Sequence, residues 1–276
     1  MSIAVHFEAG LIANGSKATR SGNLVSKIVQ LAGAITAGTL MARSAHAGPA
    51  PDVVVLCDPS LRAAMVAAGR VWSAKTRLPV RVFTTSLGQS ARLASLGARA
   101  DILSGIGPDQ MDIAQHLGAI DPATRIVIGR NPVMLARRGP TTKAVTLASG
   151  SDIEFLLGNG RIGVVDLAIG RPGADARAAL AEVGLWPAFE PRSLGAEDTD
   201  ALVAQLLEGR VRLAALYRSD ITEGNGLSVA ATVAYAAPLV VAALAANATS
   251  PHAREFLTFL LGDGSQSLQR AGLEGP

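Results

Sequence analysis

Residues 52–65 read DVVVLCDPSLRAAM, and the fold follows from what stands on either side of Asp58-Pro59. Val53, Val54, Val55 and Leu56 form an apolar run bounded by Pro51 and by Asp58-Pro59. A short β-branched run between such punctuators reads as a buried strand of a parallel sheet. Beyond Pro59, Leu61, Met65, Ala68 and Trp72 recur at spacings of four, three and four, which is one face of a helix. Ser60 stands at the joint, where the first backbone N–H groups of a helix lack internal partners. Taken alone, Ser60 is a helix cap. A strand running into a Ser-headed helix is also a ready seat for an anion. What favours the second reading is that the chain repeats the arrangement.

Working outward, strand and helix alternate. Strands are expected at 53–56, 80–83 and 102–104, with helices at 60–75, 90–96 and 109–117. An apolar stretch follows at 125–136. A polar Gly/Pro/Thr-rich break at 137–150 separates this half from a second. There, strands at 161–166 and 213–217 alternate with helices at 173–184 and 198–208, and Trp186-Pro187 marks a turn. A second long apolar stretch, 229–244, leads to two closing helices at 251–261 and 264–271. Alternation of this kind means βαβ units and parallel sheets. Two α/β lobes joined by two extended stretches is the layout of a hinged two-domain binding protein, with lobe I at 50–130 plus 236–276 and lobe II at 131–235.

The first 47 residues have a different character. A 15-residue apolar run at 28–42 lies between Lys27 and Arg43 and is followed by Ala45-His46-Ala47, a small-x-small cleavage pattern. This reads as a secretory signal peptide at 1–47, too short for a membrane span. It also corrects the charge. The chain has 25 basic and 22 acidic residues, but the leader holds Lys17, Arg20, Lys27 and Arg43 against Glu8 alone. The remainder is formally neutral, so the pI of about 9.4 is no signal for nucleic acid. With 49% hydrophobic and 17% charged residues, disorder is excluded. The single cysteine, Cys57, reads as a buried structural thiol. An exported monomer is expected.

The pattern holds no credible catalytic constellation. Gly158-x-Gly160-x-x-Gly163 has the letters of a dinucleotide fingerprint, but it precedes a strand instead of following one, so it is a turn. His116 and His252 are far apart and lack metal-ligand spacing. Asp109, Asp112, Glu197 and Asp198 stand at helix starts, where negative charge suits the dipole. No catalytic residues and no cofactor are expected, although an exported enzyme on the same scaffold is the competing class. What remains is a set of polar helix starts in both halves: Ser60, Thr84-Thr85-Ser86, Pro172-Gly173 and Thr199, with Tyr217 ending a strand. Together they offer the N–H and O–H donors that a buried tetrahedral oxyanion needs.

Over residues 52–272 the sequence resembles the periplasmic molybdate-binding proteins of ABC transporters. The resemblance is carried by Ala100-Asp101-Ile102-Leu103, by Asp109-Gln110-Met111-Asp112 and by Gly118-Ala119-Ile120-Asp121-Pro122-Ala123-Thr124-Arg125. Ser60-Leu61, Ala196-Glu197-Asp198-Thr199, Leu216-Tyr217-Arg218-Ser219-Asp220 and the terminal Ala253-x-Glu255-Phe256-Leu257-x-Phe259-Leu260 add to it. It implies the α/β, two-lobed type II periplasmic binding protein fold with a ligand cleft between the lobes. It further implies capture of molybdate or tungstate for an ABC transporter permease. The implied ligand contacts are Ser60, Ser86, Thr199 and Tyr217, with Gly173 standing in for Pro172, which falls where the family uses an N–H and has none. The metal of the oxyanion has no direct protein ligand in this reading. Asp58 departs from the family's alanine and would repel a dianion, while Arg171 and Arg218 would offset it. Another small oxyanion or an organic acid, or a sensor without a permease, are the alternatives.

Overall fold

The computed structural model describes residues 52–140, 143–148, 153–166 and 170–276; the expected signal peptide lies outside them. The strands are β1 Val53–Cys57, β2 Val80–Thr84, β3 Ile102–Ile106, β4 Ile126–Arg130, β5 Val133–Arg138 and β6 Val145–Leu147. They continue as β7 Ile162–Val165, β8 Ser193–Ala196, β9 Leu213–Tyr217, β10 Leu227–Val233 and β11 Leu239–Leu244. The helices are α1 Arg62–Thr76, α2 Leu87–Ser95, α3 Pro108–His116, α4 Glu154–Leu157 and α5 Arg171–Glu182. After them come α6 Trp186–Phe189, α7 Thr199–Leu207, α8 Ala253–Leu261 and α9 Ser265–Arg270.

Two sheets form, in the orders β2-β1-β3-β11-β4 and β6-β10-β5-β9-β7-β8. Both are mixed, where the sequence suggested all-parallel sheets. The βαβ units do pair in parallel, β1 with β2 and β3, and β7 with β8 and β9. The strands that carry the chain between the sheets, β5 and β11, pair antiparallel with β9 and with β3. The apolar stretches expected at 125–136 and 229–244 are each broken, into β4 and β5 around Asn131-Pro132 and into β10 and β11 around Pro238. Proline offers no N–H to a ladder, and Pro132 and Pro238 each stand directly before the strand that enters the other sheet.

Each sheet is packed on both faces. In β1 every residue is buried, as a central parallel strand requires. Val53 and Val55 point to a core that includes Trp72, Phe256 and Leu268, whereas Leu56 points to a cluster with Leu87, Met111 and Ala119. Trp72 is clasped edge-on by Phe256 and Phe259, with ring centroids 5.5 and 5.3 Å away. In the second sheet, Trp186 is buried on one face beneath the Arg177 guanidinium, 5.9 Å from the ring centroid. The other face is filled from α7 by Leu202 and Leu206.

The motif residues that carried the resemblance do structural work. Asp101 is fully buried and accepts three peptide N–H bonds of 2.8 Å, from Val54, Thr249 and Ser250. It thereby ties β1 to the loop ahead of α8. Asp121 caps the 3-10 turn Pro122–Thr124, accepting from the N–H of Ala123, and Thr124 receives the N–H of Leu244 at 2.9 Å. Arg125 then reaches Asp112 at 2.7 Å. Cys57 is a buried free thiol, pushed up to about 12 by burial and the neighbouring Asp58 carboxylate.

Candidate functional site

The carboxyl ends of the parallel strands in both sheets face one another. There the ends of β1, β2 and β3 meet those of β7, β8 and β9, which is where ligands bind in open α/β sheets. Between them lies a cavity of about 420 Å³. From the first sheet its wall is Asp58, Ser60, Ser86 and Leu87, with Ile106 and Gln110. From the second come Arg171, Pro172, Thr199 and Tyr217, together with Glu197 and Asp200. A larger hollow of about 960 Å³ lies at the opposite, amino-terminal ends of β7 and β9, among Arg161, Arg210 and Arg212. It sits beside one sheet alone, so the smaller cavity between the two sheets is the candidate site.

Four of the five expected contacts line this cavity. Ser60 sits in the 3-10 turn Pro59–Leu61 that follows β1, held by a bond from the Leu61 N–H to the Asp58 carbonyl. Ser86 is the N-cap of α2 and accepts the Gln89 N–H at 3.3 Å. Thr199 is the first residue of α7, whose cap is Asp198, accepting the Ala201 N–H at 2.8 Å. Tyr217 ends β9 and is almost fully buried. Gly173 does not line the cavity. It is buried in the first turn of α5, where a Cβ would stand 2.2 Å from the Val165 carbonyl oxygen. Its role is to let α5 close on β7. Arg218 also stays away, donating to the Ile221 carbonyl at 2.8 Å.

Several polar groups in the wall are bonded to one another or to neighbours. Tyr217 Oη donates to Asp175 Oδ2 at 2.7 Å, and Arg171 Nε donates to the same oxygen at 3.1 Å. Arg171 Nη1 crosses to the first half and donates to both oxygens of Asp109 at 2.5 and 2.6 Å. Its guanidinium lies where a side chain on Gly107 would be, 2.3 Å from an added Cβ, and Gly107 has φ +92°. Only glycine fits there on both counts. At the back, Ser60 Oγ donates to Asp220 Oδ2 at 2.9 Å, and Ser219 Oγ donates to the Ser60 carbonyl at 2.6 Å. Asp58 Oδ2 accepts the Ile106 N–H at 3.1 Å, and the Leu87 N–H also bonds this carboxylate.

Charge follows burial. Burial pushes Asp58 up to about 6, with Asp175 adding to the rise and the Ile106 N–H and Arg171 opposing it. Burial pushes Asp220 up to about 7, helped by Asp200 and Asp58 and opposed by the Ser60 hydroxyl. Burial, then Asp175, holds Tyr217 neutral well above its ordinary value. Burial works against the charge on Arg171, yet Asp175 and Asp109 hold its pKa above the usual arginine value.

A stability prediction follows. Both carboxyls titrate higher in the fold than the ordinary 3.8 of the unfolded chain. Between about pH 4 and 7 the native state therefore holds more protons, and stability falls as pH rises. The loss is on the order of 3 kcal/mol for the two groups together, allowing for their partial exposure. Urea midpoints at pH 5 and pH 8 should show it, and Asp220→Asn should flatten the difference by about half. The same slope in wild type and variant would remove Asp220 from the account.

Arg171 and Asp175 form an i,i+4 pair visible in the sequence. Asp109 and Asp220 were also visible, as a helix-start charge and as part of the Tyr217 motif. What the sequence does not reveal is that Arg171, Asp175, Asp109 and Tyr217 meet, since Tyr217 and Asp175 lie 42 positions apart and Arg171 and Asp109 lie 62 apart. Among the described residues no group of three His, Cys, Asp or Glu could hold a metal ion.

Residues 53–274 match the family described as bacterial extracellular solute-binding protein. A 143-residue stretch is 32% identical to the molybdate-binding protein ModA of Escherichia coli (strain K12), taking in 51% of this chain and 56% of that protein. The match thus spans about half the length of that relative. Among solved structures, the substrate binding domain of a putative molybdenum ABC transporter from Clostridium difficile superposes with a TM-score of 0.67 at 16% identity. That alignment covers 82% of this chain and 99% of the other. The periplasmic molybdate-binding protein of Azotobacter vinelandii gives 0.67 at 14%, covering 82% and 100%. At these identities the structures establish the periplasmic binding protein fold.

Proposed function

The chain belongs to the bacterial extracellular solute-binding protein family, and from that premise we propose that it captures molybdate, or the like-shaped tungstate, for an ABC transporter. Capture takes place outside the cytoplasm, in the cleft between the two sheets. Closure about the two chain crossings, at Asn131-Pro132 and near Pro238, then presents the loaded form to the membrane permease.

One observation carries this reading. Ser60, Ser86, Thr199 and Tyr217 are spread over 158 positions of the chain and four strand ends, yet all line one 420 Å³ cavity. Such a set offers hydroxyl and helix-start N–H donors from both sides. The curated relative that is 32% identical is itself a molybdate-binding protein, which supports the choice of ligand.

Calorimetric titration of the protein with molybdate, tungstate and sulfate tests the proposal. The first two should bind and sulfate should not, because a cavity shaped for the larger tetrahedron leaves sulfate short of its donors. Binding of none of the three at any pH from 6 to 8 would refute it. Tyr217→Phe should weaken molybdate roughly tenfold or more, since the hydroxyl that must turn from Asp175 to the anion on binding is lost. The same titration measures it, and an unchanged affinity takes Tyr217 out of the site.

A further inference from the structure

The cleft wall is richer in acceptors than an anion receptor needs. Two of the expected hydroxyl donors are spent on carboxylates, Ser60 on Asp220 and Tyr217 on Asp175. Asp58 stands in the wall and occupies the N–H groups of Ile106 and Leu87, at the end of β3 and the start of α2. Those are the strand-end and helix-start donors that would otherwise serve a bound anion. Across the cavity stand Glu197, Asp198 and Asp200, and among the described residues the one cation in the wall is Arg171, already bonded to Asp109 and Asp175.

A fully ionised oxyanion entering this cavity meets an oxygen that can only accept. Two facing oxygens without a proton repel, and in a partly desolvated site that repulsion is several times stronger than in water. A single proton between them turns the repulsion into a short charge-assisted hydrogen bond.

We propose, resting on the oxyanion reading above, that the cleft takes its anion together with one proton, held between the Asp58 carboxyl and a ligand oxygen, so that Asp58 sorts ligands by their basicity. The proton comes from solvent on binding and returns to it on release. Anions of weak acids, molybdate and hydrogen phosphate among them, share the proton well. Sulfate, the anion of a strong acid, is a poorer acceptor and gains less. Discrimination then has a chemical component beside cavity size.

Every element around Asp58 bears on this proton. From α5, Arg171 favours the ionised carboxyl and Asp175 opposes it. Asp220, beyond β9, stands close enough for each carboxylate to disfavour the other's charge, and Tyr217 on β9 is neutral. The N–H groups of Ile106 and Leu87 favour the ionised form. The balance leaves Asp58 titrating at about 6, so at neutral pH the empty cleft holds a mostly ionised Asp58 and the proton must be drawn in with the ligand.

The test is calorimetry of the wild-type protein with sodium molybdate at pH 7.5, in buffers of differing ionisation enthalpy. The slope of heat against buffer enthalpy counts protons and should be close to one taken up per anion bound. Affinity should fall by up to roughly tenfold for each pH unit above 6, as one-proton linkage requires. Asp58→Asn should abolish the uptake and flatten the pH dependence. Molybdate binding by wild type with no proton uptake overturns the proposal and leaves the oxyanion reading intact. Uptake that survives in Asp58→Asn also overturns it, by assigning the proton elsewhere. Absence of binding at pH 6 and at pH 8 defeats the oxyanion reading and this proposal together. The wild-type slope decides on proton uptake even where a variant fails to fold.

Discussion

Asp101→Ala should cost on the order of 4 kcal/mol of stability or more, and the protein should fail to accumulate in folded form at 37 °C. The side chain is fully buried and is the acceptor for three peptide N–H groups at 2.8 Å. An orphaned buried donor costs about 1–3 kcal/mol, and three are orphaned at once. Against a domain stability of roughly 5–15 kcal/mol, that is a large share. Asp101→Asn should fall between, because Oδ1 can still accept from Thr249 and Ser250 while an amide nitrogen faces the Val54 N–H. Urea denaturation of the three proteins gives the ordering. A loss below about 1 kcal/mol for the alanine variant would mean that water replaces the carboxylate, and that the tie between β1 and the α8 loop is not structural.

The largest effect on binding is expected at Arg171. Arg171→Gln should weaken molybdate on the order of a hundredfold, about 2.7 kcal/mol. Among the described residues the guanidinium is the one cation lining the cavity, and it also fastens α5 to Asp109 on α3. Its removal leaves Asp58 facing the incoming anion without compensation, and it breaks the tie between α5 and Asp109. The exposed part of the clasp contributes little by itself, since Asp109 is 61% exposed, so most of the loss is electrostatic and should shrink with added salt. Arg218→Gln is the matched control. That side chain binds the Ile221 carbonyl away from the cavity, so affinity should hold. An equal loss in both variants would reduce the effect of Arg171 to net charge alone.

The two halves, their βαβ units and the strand ends where donors collect were all legible in the spacing of apolar residues. So was the family, through Asp101, Asp121-Pro122 and the Tyr217 segment. The structure shows why these signatures are so readable, since Asp101 and Asp121 serve the scaffold and act through near neighbours or backbone. Short elements were missed. β6 lies within the polar break, β8 has no pattern that separates it from its surroundings, and α6 shows in sequence only as a turn signal at Trp186-Pro187. Strands of three or four residues hold too few side chains to display a period. Gly173 stands outside the cavity wall for a different reason. Its need is steric, set by the Val165 carbonyl of a neighbouring strand, and nothing in its local sequence announces that. The acidic wall was half legible, because Asp58 stood out as a departure while its alignment with Asp175 and Asp220 depends on both sheets closing together.

The chain has two tryptophans, and the fold gives one to each sheet. Trp72 is held by phenylalanines of α8 in the first half, and Trp186 sits under Arg177 in the second. The molecule is thus equipped with a separate optical reporter for each half, and neither lies in the cleft wall. Replacing either tryptophan with phenylalanine leaves a single emitter, whose spectrum follows the melting of its own half. Comparing the two, with and without ligand, would measure how far a bound anion makes the halves melt as one.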